Sequence, residues 1–309
     1  MIKASSRNLF NPRSMFKNIR YIIEFIITVT MILIFKVIGF KKSSDFSAKL
    51  ALLIGKKLKV DKLAINNINQ ALPKLTYNQK RDIIDQMWQN LGRIIGEFYH
   101  IWRLNLQQIY NIVSIDKKSK ENIELLKKEN KGGIIVSGHI GNWEVGPKAL
   151  LNSGLKINIL YRPLNNPYIE NLTTKLRKKH GVKMIPKSNK GNKQIIQALK
   201  NNEYVVILAD QKITQGHPIK FFHDLATTST FIAKISMRYN ISVTMARVIR
   251  KNKYQFSLEI NEPIIYSNIA KEKKGLDIIK FSAIINQTLE KWISQYPSQW
   301  FWVHDRWKK

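Results

Sequence analysis

The sequence predicts an α/β fold: a central mixed sheet flanked by helices, preceded by an N-terminal hydrophobic membrane-anchor helix. Three observations carry that expectation. Residues 21–40 are apolar except for Glu24 and Lys36, a composition suited to a helix shielded from water. From Gly132 onward, short apolar runs of strand length alternate with helical patterns, as in a sheet with helices on its faces. The first of those runs, Ile134-Ile135-Val136, opens into Ser137-Gly138-His139-Ile140-Gly141-Asn142-Trp143-Glu144-Val145-Gly146. Its glycines allow a sharp turn at the end of a strand and a close backbone approach.

In chain order, the apolar helix comes first. Its uncharged stretch, residues 25–35, is 11 residues long, short of the roughly 20 a spanning helix uses unless Glu24 and Lys36 snorkel. Lys3, Arg7, Arg13, Lys17 and Arg20 precede it; Lys41, Lys42, Lys49, Lys56, Lys57 and Lys59 follow, with Asp45 the one nearby acid. Basic flanks on both sides give no vote on orientation and fit a shallow or tilted anchor. A buried soluble helix or a signal peptide would also be apolar, but no small-x-small cleavage site follows cleanly. The division expected is residues 1–42 as basic N-terminus and anchor, and 43–309 as one catalytic domain without repeats or low-complexity linkers.

Residues 43–75 read as short helical patterns and polar links. Thr76 and Gln79 then form a capping box ahead of a helix whose apolar positions Ile84, Trp88, Leu91, Ile95 and Phe98 recur every three or four residues. Strands are expected at 134–136, 157–161, 182–185, 205–209, 241–249 and 254–260. Helices are expected at 194–200, 230–239 and 276–296, the last with Ile278, Phe281, Ile285, Leu289 and Trp292 on one face.

Charge narrows the partners. The chain of 309 residues carries a net charge of +31, which suits a polyanion: anionic lipid, nucleic acid or an acidic protein. The chain is also rich in Lys, Ile and Asn, a composition that codon bias in an AT-rich genome would produce, which discounts the charge somewhat. There is no Cys, hence no disulfide and no thiolate nucleophile. No G-x-S-x-G elbow, Walker loop or H-E-x-x-H is present either.

What remains is His139 with Glu144 five residues on. Six His and 21 acidic residues in 309 give about 0.4 such pairs by chance, so spacing alone is weak. If His139 sits on the strand-to-helix turn, Asn142 caps the helix and Glu144 lies in its first turn, the pair can meet. Glu144 would then accept from one imidazole nitrogen and leave the other to take a proton. Without a protein nucleophile, such a base suits direct transfer of an acyl group to a hydroxyl it deprotonates. A metal is not expected, since two ligands without a third make a poor site. No cofactor is expected.

Further candidates stand at the ends of expected strands, where α/β folds place chemistry. Arg162, within Tyr161-Arg162-Pro163, is a candidate to bind an anion or stabilise developing negative charge. Asp210 and Gln211 end another strand, where Asp210 reads more readily as a capping carboxylate than as a site residue. Phe221-Phe222 and Ala226-Thr227-Thr228 are candidates to line an acyl groove and to cap the next helix. The C-terminal Trp300-Phe301-Trp302-Val303-His304-Asp305-Arg306-Trp307 reads as an interfacial aromatic belt, a lid, or a base-stacking surface.

Together these segments resemble the bacterial lipid A biosynthesis acyltransferases of the late, lauroyl/myristoyl type. The resemblance runs from the hydrophobic N-terminus through Asn90-Leu91-Gly92 and Glu97, the H-x4-[D/E] motif at His139 and Glu144, Tyr161-Arg162-Pro163, Ala209-Asp210-Gln211, Phe221-Phe222 and Ala226-Thr227. It closes on Pro297-x-Gln299-Trp300-Phe301-Trp302-Val303-His304. His223 departs from it, standing where the family commonly has Gly. The resemblance implies a glycerolipid-acyltransferase-like fold, catalysis by His139 and Glu144, and substrate contacts by Arg162, Asp210, Asn142 and Gln211. It also implies an acyl carrier protein as donor, an anionic Kdo-bearing glycolipid acceptor, membrane lipids as surroundings, no nucleic acid, and a catalytic domain at the cytoplasmic face of the inner membrane. The alternatives are a glycerophosphate-type acyltransferase, a basic nucleic-acid-binding protein at a membrane, or a non-catalytic scaffold.

Overall fold

In a computed structural model, residues 12–266 and 274–307 are described; the expected N-terminal cations Lys3 and Arg7 lie outside them. The long first helix α1 (Pro12–Gly55) has one non-helical residue, Gly39 at φ 80°, ψ 173°, three residues before the expected boundary at 42. Before it, Ile22, Ile23, Ile26, Ile27, Leu33 and Ile34 are exposed. The described part of α1 is long and apolar enough to cross a membrane. Glu24 does not stand free: it accepts from Asn166 Nδ2 at 2.9 Å and pairs with Arg20.

After Gly39 the helix docks on α3 (Tyr77–Arg103), with α2 (Lys59–Ala71) between them in sequence. These replace the short segments expected over 43–75. The contact is backbone-close, because a Cβ at Gly92 or Gly96 would lie 2.1 Å from the Ser47 carbonyl oxygen or 2.4 Å from that of Ser43. The capping box opening α3 forms as read, Thr76 Oγ1 accepting from Gln79 N–H and the Gln79 side chain from Thr76 N–H. Ile95, however, is 58% exposed. Over 27 residues the buried stripe of a straight helix drifts around its surface, and here it passes to Ile94, Ile101 and Trp102.

The sheet has seven strands in the order β1-β9-β8-β2-β5-β3-β4. They are β1 (Val113–Ile115), β2 (Gly133–Ser137), β3 (Ile157–Tyr161), β4 (Lys183–Pro186), β5 (Tyr204–Leu208), β8 (Val243–Arg250) and β9 (Phe256–Ile260). The five from β8 to β4 are parallel, whereas β9 runs antiparallel to β8 and carries β1 beside it, so the sheet is mixed. Alternation along β2 splits the core: Ile134 and Val136 face one side, Ile135 the other. On the Ile135 side lie α4 (Leu106–Ile112), α5 (Lys117–Glu129) and α6 (Val145–Asn152). On the opposite side lie α2, α8 (Asn189–Lys200), α9 (Phe231–Tyr239), α10 (Lys274–Gln295) and a two-stranded hairpin, β6 (His217–Phe221) and β7 (Asp224–Thr228). The segment α7 (Pro167–Lys179) joins β3 to β4 and touches α1 and α3.

After β2 the chain turns toward α6 on one face, and after β5 it turns toward the hairpin on the other. Adjacent strands whose connections diverge leave a crevice at their carboxyl ends. Gly141 sets its edge. It adopts φ +62°, and a Cβ there would stand 1.8 Å from the Val248 carbonyl oxygen. Gly141→Ala is therefore expected to lower stability by about 2–4 kcal/mol, combining backbone strain with a clash that has no soft partner. Urea unfolding should show a fallen midpoint with an unchanged m-value.

Candidate active site

The pairing of β2 with β5 matches Ser137 with Leu208, and Ala209 N–H donates to the Ser137 carbonyl at 2.9 Å. Each strand ends there. Two residues further on each side stand His139 and Asp210, and they meet. The Asp210 carboxylate accepts from His139 N–H at 2.7 Å through Oδ2 and lies 2.8 Å from Nδ1 through Oδ1. Trp300 Nε1–H donates to Oδ2 at 2.8 Å. A carboxylate only accepts, so Nδ1 carries the imidazole proton and Nε2 presents its lone pair. Gln211 Nε2 stands 3.4 Å from that nitrogen. The rings of Trp143 and Phe301 wall the imidazole, at centroid distances of 5.0 and 6.2 Å.

Burial by itself would raise the Asp210 carboxyl. The His139 charge, its two hydrogen bonds and the Trp300 indole outweigh that and hold it at about 2. Asp210 is thus a fixed negative charge beneath the imidazole. His304, in the same shell, accepts from Lys212 N–H through Nε2, and burial lowers it below the ordinary imidazole range.

Glu144 is not His139's partner, contrary to the expectation from spacing. Its Oε2 accepts from Trp102 Nε1–H at 2.8 Å, and its Oε1 from Arg177 at 2.7 Å. The turn at Gly141 separates the two side chains: His139 faces β5, while Glu144, immediately before α6, faces α3 and α7. Burial disfavours the Arg177 charge and the Glu144 carboxylate more than restores it, so Arg177 lies above its usual value.

Asn142 departs from its expected substrate contact for a related reason. It is fully buried; its Oδ1 accepts from Glu144 N–H, and its Nδ2 donates to Glu97 Oε2 at 2.7 Å. Asn142 does not cap α6, whose N-cap is Glu144 without a side-chain cap bond; it braces the turn before the helix, and both its side-chain polar atoms are engaged there. Glu97, also fully buried, takes both guanidinium nitrogens of Arg250 and the hydroxyl of Ser44. Asn90 donates to the Gly141 carbonyl and accepts from Arg250 Nε. The loop carrying His139 is thereby fastened to α1, α3 and the end of β8. Arg177, Trp102 and Arg250 had no signal in the sequence, because each belongs to an element far along the chain.

Arg162 stands exposed just past β3, on the same sheet edge. Two strand spacings of about 4.8 Å separate that strand from His139's. The C-terminal aromatics are not an outer belt: Trp300 and Trp302 are 1% and 0% exposed, and Phe301 N–H donates to the His139 carbonyl at 3.1 Å. Phe221 and Phe222 sit at the tip of the β6–β7 hairpin, with Phe221 in the core and Phe222 at φ 57° in the turn. Ala226, Thr227 and Thr228 form its second strand and do not cap α9. Beside the His139 loop, a narrow cleft opens between α6 and the sheet, lined by Ser137, Trp143, Gly146, Leu150, Val206 and Leu208 among others. Among the described residues, no three His, Asp or Glu side chains stand together as metal ligands would.

Comparison with known proteins agrees on one group. The family model described as bacterial lipid A biosynthesis acyltransferase matches residues 12–309. A lipid A biosynthesis palmitoleoyltransferase of Escherichia coli (strain K12) is 25% identical over 258 residues, covering 80% of this chain and 78% of the relative. A lipid A biosynthesis acyltransferase of Haemophilus influenzae is 22% identical over 285 residues, covering 89% and 84%. The lauroyltransferase of lipid A biosynthesis from E. coli K12 is 23% identical, covering 80% and 78%.

Proposed function

The chain belongs to the bacterial lipid A biosynthesis acyltransferase family, and we propose that it moves an acyl chain from an acyl carrier protein thioester to a hydroxyl of a Kdo-bearing lipid A precursor, with His139 as general base. Acyl transfer in lipid A biosynthesis follows from the family; donor, acceptor and base are our reading. The observation that carries it is the Asp210–His139 pair at the crevice, with Nδ1 bonded to the carboxylate and the Nε2 lone pair facing the Gln211 amide at 3.4 Å, where an incoming hydroxyl can take its place.

The chemistry balances without a protein nucleophile. His139 Nε2 removes the acceptor's hydroxyl proton as that oxygen attacks the thioester carbonyl. The tetrahedral intermediate collapses by breaking the C–S bond, and the imidazolium returns its proton to the departing thiolate. Asp210 holds the ring and stabilises its transient charge. Gln211, beside Nε2, supplies an amide to orient the incoming hydroxyl, and Arg162 supplies positive charge at the same edge. The apolar walls of the cleft under Trp143 would take only the first carbons of the acyl chain, the cleft measuring about 20 Å³. An acidic carrier and an anionic acceptor suit the net charge of +31.

The base-stacking alternative loses its main support, because Trp300, Trp302 and Trp307 are buried among themselves and Phe221. The exposed apolar face of α1 supports residence at a membrane; the inner membrane, with the catalytic domain on the cytoplasmic side, follows from the proposed carrier-protein donor. Replacing both Ile27 and Ile34 with Lys is expected to shift the protein from the membrane to the soluble fraction on cell fractionation. Each charge near the helix centre costs about 2.5–3.5 kcal/mol of insertion.

The direct test is mass spectrometry of the product from a Kdo-bearing tetraacyl precursor, with carrier proteins loaded with chains of several lengths. A gain of one acyl mass supports the reading and its size gives the chain. No gain with any donor, from folded protein, would overturn it.

A further inference from the structure

We propose that Lys148 on α6, with Arg103 at the end of α3 and Lys179 and His180 at the end of α7, forms a binding site for a phosphate monoester on a lipid headgroup, apart from the catalytic crevice.

The three helices meet in two layers. In the first, Glu144 joins Trp102 of α3 and Arg177 of α7, so every charge there has its opposite. One helical turn further along α6, at i+4 on the same face, comes Lys148. The same step brings α7 to His180 and Gly181, and α3 ends at Arg103. Leu151, one turn past Lys148, stands 3.7 Å from where a Gly181 Cβ would be, which fixes α6 against the end of α7. The ionisable side chains of this second layer are all basic. Lys148, Lys179 and Arg103 all lie close enough to depress the His180 imidazole, which burial depresses first, and no carboxylate acts on it.

Lys148 itself is the telling residue. It is 4% exposed and has no hydrogen-bond or ion-pair partner among the described residues. Burial lowers its ammonium, and no acid counters that. Arg103 and Lys179 lie in last turns of helices, where the backbone dipole welcomes a cation. Lys148 lies in the first turn of α6, where the dipole opposes one. A cation held against burial and against the helix dipole, with no acid beside it, is favoured by an anion. A phosphate would be received by the ammonium, the Arg103 guanidinium and the cations of α7.

Two sources present that chemistry beside an apolar helix: the phosphorylated acceptor, which rests on the function proposed above, and an anionic phospholipid, which does not. Calorimetry on the full-length protein in neutral detergent, titrated with short-chain phosphatidic acid, phosphatidylcholine or inorganic phosphate, tests the site without turnover. Phosphatidic acid should bind more tightly than inorganic phosphate, phosphatidylcholine should not bind, and Lys148→Met should weaken phosphatidic acid about tenfold or more. In the absence of phosphate Lys148→Met should melt no lower than the parent, since it keeps the buried stem and removes a partly desolvated charge that no acid pairs. Phosphatidic acid should raise the melting temperature of the parent alone.

Turnover then separates the sources. A KM increase in Lys148→Met confined to phosphorylated acceptor, with kcat kept, assigns the site to the substrate; unchanged KM assigns it to the surrounding lipid. Equal binding of phosphatidic acid by parent and variant, or by neither, would overturn the proposal, and so would a variant destabilised without ligand.

Discussion

His139→Ala should reduce acyl transfer by two to four orders of magnitude, with the acceptor still bound. The range is what a positioned general base contributes, and three features of the site place the loss in kcat. The imidazole is held by its neighbours before substrate arrives, Nδ1 by Asp210 and the backbone N–H by the same carboxylate. The cleft and Arg162 are built from other residues, so donor and acceptor keep their contacts. No other His is positioned to substitute: His304, nearby, already accepts a backbone N–H through Nε2. Removing the ring leaves Trp143 and Phe301 without their shared neighbour, so the variant's melting temperature should accompany its rate. His139→Gln keeps much of the volume and should be as slow. Single-turnover measurements with loaded carrier protein separate the chemical step from binding; a variant within tenfold of the parent would remove His139 from the role of base.

The sequence made some features legible and not others, for physical reasons. Local signals survived. The strand at 157–161 has the bounds read from its apolar run, and the Thr76–Gln79 box is present because both halves lie within one helical turn. The β6–β7 hairpin went unread because its turn is Phe222-His223, with Phe222 at φ 57°. A bulky aromatic there carries none of the Gly or Asn signature that marks such turns. The segment α7 was missed because it buries only Thr174. It is held by Glu170, which accepts from Tyr161 and Thr174, and by Arg177 on Glu144, so no apolar stripe announces it. Residues 43–75 read as short helical patterns and polar links because the side chains packed closest there, Ser43 and Ser47 against Gly92 and Gly96, leave no hydrophobic period to read.

Asp210 and Glu144 give the second large effect, by their difference. Five-residue spacing favours Glu144 as His139's partner, yet spacing sees only one chain segment. Asp210 is 71 residues away, and it becomes the neighbour because β5 inserts beside β2, which depends on strand order and not on distance along the chain. Asp210→Asn should therefore lower kcat by about 10²–10⁴. An amide can donate to Nδ1, which would turn the ring and put its proton on Nε2, the nitrogen that must accept. KM should change little. Glu144→Gln should act through stability instead, because it leaves the buried Arg177 guanidinium without its charge partner, at a cost of about 3–5 kcal/mol for a well-buried pair. Its remaining folded fraction should turn over at near the parent kcat. The Asp210 carboxyl is depressed from 3.8 to about 2, so its contribution to stability is present above about pH 4 and is lost as pH falls through 2. Across the range in which the enzyme works, Asp210 therefore stays charged. A large loss of kcat in folded Glu144→Gln beside a parent-like kcat in Asp210→Asn would return the orienting role to Glu144.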